Sequence, residues 1–194
     1  MHVWPTVLTH EDLTLRPVRA RDERAWARVR GENRYWLEPW DVADPYGARS
    51  HSFRSWARHF RRQGRAGNAL PFVLEIGEDP FAGQVMASPI TYGAARTAVI
   101  GYWISRDYAG RGYMPRAVAL TCDYLFDELG INRIEINVRP ENHPSLRVVE
   151  KLGFPEEGIA RGLLYIDGEF RDHRRFAMLS PDRPPGGLIS LFTS

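Results

Sequence analysis

The chain has 194 residues and a formal net charge of +2. That length suits one domain with a full core, and a charge so close to balance does not call for a nucleic-acid partner. A single cysteine, Cys122, excludes an internal disulfide and a zinc-finger type of metal site. With no signal-peptide pattern and no apolar run of membrane length, the reading is a cytoplasmic protein without membrane association.

In chain order, Leu13 to Val18 alternates and reads as the first strand. A helix is expected over about 22–30, with Ala25, Trp26 and Val29 on one face. Residues 31–48 carry Pro39, Pro45 and Gly47 and show no period, so they read as a long irregular loop. Its aromatics, Tyr35, Trp36, Trp40 and Tyr46, argue against disorder, and loops of this length in compact domains tend to be functional. A second helix is expected over about 50–65. Arg54, Arg58, Arg61, Arg62 and Arg65 share its outer side, and Phe53, Trp56 and Phe60 turn inward. An arginine face of this kind reads first as solvated surface and second as an RNA contact, and no direct nucleic-acid site is assigned. Strands follow at 70–76, 83–92 and 97–105, and a hairpin at 157–165 and 170–179 turns on Asp167-Gly168. Pro181, Pro184, Pro185, Gly186 and Gly187 make 181–194 an irregular tail, which leaves 1–180 as a single domain.

The segment from Ile100 to Val118 carries the most chemistry. A strand rich in aromatics runs into Gly110-Arg111-Gly112, and a helix starts at about Met114 or Pro115. Glycines permit a tight turn and close backbone approach, and the first helical N–H groups have no partner of their own. Such a turn suits a phosphate; it equally suits an ordinary strand–helix connection. It matches neither a Walker loop nor a dinucleotide fingerprint, since Gly-Tyr-Met and Pro115 stand where those motifs need other residues. Val118, Cys122, Leu125, Phe126 and Leu129 then fall on one helical face as core, and Gly130 supplies a left-handed cap. Ile134, Ile136 and Val138 alternate as the next strand, the turn Pro140 to Ser145 follows, and a short helix runs over 146–152 with Ser145 near its N-cap.

Strand, Gly-x-Gly turn, long helix, strand, Asn-x-x-Ser turn, short helix and Gly153-Phe154: in this order the chain resembles the GNAT acyl-CoA transferase superfamily. Gly31 to Trp40, Gly101 to Ile104, Lys151 to Phe154 and Leu163 to His173 are similar to its ribosomal-protein N-terminal acetyltransferase branch. The likeness covers about 13–180. It implies an α/β (α+β) fold with a mixed central sheet of about seven strands, splayed between the fourth and fifth, flanked by about four helices. It also implies acetyl-CoA as cofactor and a protein N-terminus as acceptor, that of ribosomal protein S5 in the nearest members, with ribosome association possible. The residues implied to hold coenzyme A are Trp103, Ile104, Ser105, Gly110, Arg111, Gly112, Tyr113, Met114, Pro115, Asn137, Asn142, Ser145 and Arg147. The family has Gln or Arg where Asp107 stands. An anionic side chain would not favour phosphates, so Asp107 is expected to point away.

Transfer to an amine needs a neutral nucleophile, a donor for the developing oxyanion, and a proton for the leaving thiolate. A backbone N–H near Trp103 or Ile104 is the expected oxyanion donor. Ser145 is the candidate proton donor, with Asn142 orienting its turn. The glutamates that related branches use as base correspond to Asn137 and Leu164 here, so neither carries over, and Glu32 is the remaining candidate. An α-amine of pKa ~7.8 needs only about 1 kcal/mol to be neutral at pH 7, against about 4–5 for a lysine at ~10.4, which favours an N-terminus as acceptor. Asn33, Tyr35, Trp36, Glu38, Trp40 and Asp41 are expected to line the acceptor groove. A small-amine or antibiotic acetyltransferase, and a non-catalytic CoA-binding assembly factor, are the competing readings.

Overall fold

The computed structural model describes residues 4–47 and 52–193. Eight strands alternate with five helices: β1 (Leu8–His10), β2 (Leu13–Pro17), α1 (Glu23–Glu32), α2 (Arg34–Leu37), α3 (Phe53–Arg65), β3 (Leu70–Ile76), β4 (Asp79–Thr91), β5 (Thr97–Ile104), α4 (Tyr113–Asp127), β6 (Arg133–Val138), α5 (His143–Lys151), β7 (Glu156–Ile166) and β8 (Glu169–Leu179). The strands form one sheet in the order β1-β2-β3-β4-β5-β6-β8-β7. Every neighbouring pair is antiparallel except β5 with β6.

Both faces of the sheet are covered, and the sequence pattern of β3 shows why. Its residues are buried except at Glu75, as a strand packed on both sides requires. Phe72 and Leu74 join α4 and α5 in the larger core, with Leu125, Ile134 and Ile136. Val73 faces the other way, into a smaller core with Val18, Val29, Phe53, Ala57 and Phe81. Buried Arg16 ties the two ends of this second layer. It donates to Asp22 at 2.8 and 3.0 Å, just before α1, and to the Pro80 carbonyl at 3.1 Å.

The expected seven strands are eight, because Glu11 turns with a positive φ and pairs β1 against β2. The expected four helices are five. Residues 34–40 are not irregular: α2 and a 3-10 turn over Glu38–Trp40 continue the helical path, with Pro39 tolerated in the first turn. The start of α3 expected at 50 and 51 falls outside the described residues; Ser52 caps the helix through the Ser55 amide. Phe53 is buried as expected, but Trp56 and Phe60 are only half-buried and stack on each other, ring centroids 5.1 Å apart. Helix α4 begins one residue before the expected position, with Gly112 as its N-cap.

The tail packs on the fold. Residues Leu188–Phe192 form a 3-10 turn against α4. The Leu188 and Ile189 amides donate to the two carboxylate oxygens of Asp123 at 2.8 and 2.9 Å. Leu188 is fully buried. Leu188→Ala is therefore expected to cost about 2–5 kcal/mol of stability in urea unfolding. A loss within 0.5 kcal/mol, the range of ordinary surface changes, would show that this turn is not part of the core.

Candidate active site

Strands β5 and β6 are paired over only three positions, Thr97 with Arg133, Ala98 with Ile134 and Val99 with Glu135. Beyond them β5 stays with β4 as far as Gly83–Ile104, while β6 stays with β8 as far as Val138–Arg174. The sheet splits here, at the fourth and fifth of the expected strands. Gly83 holds β5 on its side: a Cβ there would lie 2.4 Å from the Trp103 carbonyl oxygen, so only glycine allows this approach.

A cavity of about 690 Å³ opens from the split. Trp103, Ile104, Gly110, Gly112, Met114, Pro115, Asn142, Ser145 and Arg147 all line it. Arg106, Arg147 and Lys151 bring three cations to its wall, against one carboxylate, Asp41, which is already paired with Arg30. Gly110 and Gly112 have φ of +76° and +83°, and the space where their side chains would stand is open. The turn therefore needs glycine for its backbone conformation, and it leaves room for a ligand at the α4 N-terminus. Asp107 is exposed and does not line the cavity, as its charge requires.

At the other wall, Asn142 caps α5 by accepting from the Ser145 amide at 3.2 Å. Ser145 is thus the third helical residue rather than the cap, because Pro144 occupies the first turn. The Tyr102 hydroxyl crosses the split and donates to the Ser145 carbonyl at 3.1 Å. Burial pushes the Tyr102 phenol well above its usual range, so it stays protonated and keeps that bond. Sequence reasoning missed Tyr102, because its partner lies 43 residues away.

The wall expected to face the acceptor is built by the end of α1, by α2 and by the turn after it. Buried Asn33 accepts from the Arg106 amide at 2.8 Å and donates to Ser105 Oγ at 3.1 Å. It positions the start of the Gly-x-Gly turn and does not line the cavity. Ser105 is used the same way, its amide donating to the Ala82 carbonyl at 2.8 Å. Trp36 lines the cavity and donates from its indole to the Ile104 carbonyl at 3.0 Å. Trp40 lies under the Arg139 guanidinium, 5.4 Å from the ring centroid, and Arg139 donates to the Pro39 carbonyl at 3.0 Å. The Ala43 amide donates to the Tyr165 carbonyl at 3.0 Å, clamping this segment onto β7.

A second cavity of about 200 Å³ adjoins the first, sharing Trp40, Val42, Tyr102, Asn142 and Ser145. Asn137 lines this one, with Leu164 and His173. The Asn137 Oδ1 atom is buried and has no hydrogen-bond partner among the described residues. His173 is 3 % exposed, and burial lowers its pKa below the usual imidazole value.

Besides Asn33 and Ser105, five expected site residues lie outside both cavities. Glu32 faces outward at the end of α1 and pairs with Arg28 at 3.3 Å. Tyr35 is 93 % exposed. Glu38 pairs with Arg34 at 3.2 Å on the surface. Tyr113 donates to Asp12 at 2.7 Å, and Arg111 is exposed; neither lines the cavity. The missed residues include Arg106, Lys151 and His173. Period-2 alternation from Arg171 would have put His173 on the face shared with Asn137, but only once the β6–β8 register was known.

The acetyltransferase (GNAT) domain model matches residues 12–155. The chain is 34 % identical over 178 residues to the probable N-acetyltransferase YjcK of Bacillus subtilis, covering 91 % of this chain and 98 % of that protein. It is 33 % identical over 187 residues to the [ribosomal protein uS5]-alanine N-acetyltransferase of Escherichia coli, covering 92 % and 93 %. The structure of Mycobacterium smegmatis RimJ in complex with CoA-disulfide superposes with a TM-score of 0.87 at 35 % identity, over 97 % of this chain and 94 % of that one. With its split sheet, Gly-x-Gly turn and capped α5, this chain belongs to the GNAT acetyltransferase family.

Proposed function

We propose that this protein transfers an acetyl group to the N-terminal α-amine of a protein, with the N-terminal alanine of ribosomal protein S5 as the first acceptor to test. Acetyl-CoA is the acetyl donor, and when bound it supplies the activated thioester carbonyl. The observation that carries the reading is the pair of joined cavities. One is walled by cations and a helix N-terminus; the other is walled by Asn137, His173 and apolar residues, with Arg139 at its rim paired to Glu141 at 3.2 Å. The first suits the phosphates of coenzyme A, and the second suits an ammonium group. The likeness to the E. coli S5-alanine enzyme supports a protein N-terminus over a lysine.

The residues divide the work by position. The amides of the Gly110–Met114 turn, with Arg147, hold the pyrophosphate. Trp103 and Ile104 supply the strand edge along which the thioester lies. Trp36 occupies the Ile104 carbonyl, so the edge beside it presents N–H groups to the reacting oxygen rather than a competing acceptor. Ser145, on the shared wall, is the hydroxyl that meets the departing sulfur. The Trp40 ring, fixed by Arg139, floors the acceptor entrance.

Three peptides test the reaction: one with a free N-terminal Ala, one with that amine blocked, and one offering only an internal lysine amine. Mass spectrometry after incubation with acetyl-CoA is expected to find acetate on the free Ala peptide alone. Acetylation of the lysine peptide at an equal rate, or of no peptide, would overturn the reading. Separately, Gly112→Ala is expected to weaken coenzyme A binding at least ~10-fold in calorimetry. Alanine in the left-handed region costs roughly 1–2 kcal/mol, and a turn that relaxes loses the aim of its amides. Unchanged affinity would remove the turn from the binding site.

A further inference from the structure

The second cavity holds a group that no local sequence pattern marks out. On β8, His173 Nδ1 lies 3.0 Å from the Arg171 carbonyl oxygen. A carbonyl can only accept, so Nδ1 carries the proton and Nε2 is left with a lone pair. His173 lines the same small cavity as Asn137, whose buried Oδ1 has no partner. Register explains the meeting. Asn137 stands opposite Arg175, and His173 lies two residues away on the same face of β8. One buried acceptor without a donor among the described residues, Asn137 Oδ1, thus shares a cavity wall with the His173 ring and Ser145. A buried acceptor without a donor is costly, and a ligand with N–H groups relieves it.

We propose that this cavity binds the acceptor's α-ammonium, with Asn137 Oδ1 holding one N–H and His173 Nε2 serving as the general base that takes a proton. The proposal rests on the N-α-acetyltransferase reading and deepens it. The step balances without a further reactant. His173 Nε2 receives one ammonium proton, and the freed lone pair forms the new N–C bond to the acetyl carbon. The C–S bond breaks, its electron pair goes to sulfur, and the second proton lost by nitrogen ends on the thiolate by way of the Ser145 hydroxyl.

The charges around His173 fit this role. Burial is the main cause of its lowered pKa, and Arg139 lowers it further, while Glu141 and Asp172 oppose the shift. From the turn after α2, Trp40 and Val42 bring no charge, and the intervening Asp41 is paired with Arg30. From β5, Tyr102 is protonated, and from β7, Leu164 is apolar. His173 is therefore neutral at pH 7 and able to accept.

His173→Asn separates this role from a structural one. The asparagine amide can still donate to the Arg171 carbonyl from near the Nδ1 position, but no acceptor remains at Nε2. With the free Ala peptide, kcat at pH 7 is expected to fall at least ~10-fold, toward the ~10²–10⁴ typical of general bases. Wild-type kcat should fall as pH drops and His173 becomes protonated. In His173→Asn the levelling-off above that limb should vanish, and kcat should keep climbing with pH as water and hydroxide take over. A loss of less than tenfold with an unchanged pH profile would overturn the role. A readout independent of turnover is the imidazole nitrogen NMR spectrum of the wild-type protein, with His173 assigned by its absence from the variant. The Nδ1–H tautomer is expected; an Nε2–H tautomer would leave no acceptor facing the cavity and would overturn the proposal. If the wild type acetylates no peptide, the acetyltransferase reading falls and takes this role with it. If the wild type is active and His173→Asn matches it, the role of His173 alone falls.

Discussion

Everything functional in this protein depends on two neighbouring strands ceasing to pair. After Val99 and Glu135, β5 and β6 each keep one partner and lose the other. A sheet interior normally satisfies every backbone N–H and C=O, and groups left bare inside a protein are costly. A side chain meets part of the demand: the Trp36 indole takes the Ile104 carbonyl, while the Tyr102 hydroxyl ties β5 to the Ser145 carbonyl of α5. Beyond Val99 the β5 edge has no strand partner toward the split among the described residues, and an extended ligand can add itself at such an edge as though it were a short strand.

The split also sorts charge. The helix N-terminus of α4 opens toward one side of it, together with Arg106, Arg147 and Lys151, so that side favours anions. The other side, between β6 and β8, presents Asn137 and His173, with Arg139 paired to Glu141. On the proposed reading a phosphate-bearing donor and an amine acceptor would enter by different mouths of one joined cavity. Ser145, on the wall common to both, would stand where the two meet. The supporting shell is built for rigidity: Asn33 locks Ser105 and Arg106 ahead of the Gly-x-Gly turn, and Arg139 fixes Trp40.

Local signals were legible in the sequence, and phase and register were not. Seven of the strands, two of them by alternation, the apolar face of α4, its Gly130 cap and the Gly-x-Gly turn were all readable within windows of a few residues. Glu32 and Asn33 show what such windows miss. They are adjacent at the end of α1, and one helical step of about 100° separates a solvent-facing carboxylate from a buried amide. Without the helix's rotation relative to the sheet, the charged residue looked like the functional one. The turn of α2 was hidden because Pro39 reads as a breaker, although proline sits without cost in a first helical turn. His173 was hidden for a longer-range reason. In its own strand it is one polar residue among several, and only pairing with a strand 35 residues earlier puts it beside Asn137.

That register bears on how the site would tell one amine from another. A neutral imidazole held below the usual ~6.5 is a weak base. Taking a proton from an α-ammonium of pKa ~7.8 is then uphill by more than about one pKa unit, and taking one from a lysine ammonium at ~10.4 by more than about four. The difference between the two amines, about 3–4 kcal/mol, favours the α-amine wherever the base is too weak to deprotonate either outright. Selectivity for a chain terminus would then come from the acidity of the amine itself, before any contact with the acceptor's side chains. The aromatic surface at Trp40 and Trp36 would be left to read the first residues of the chain.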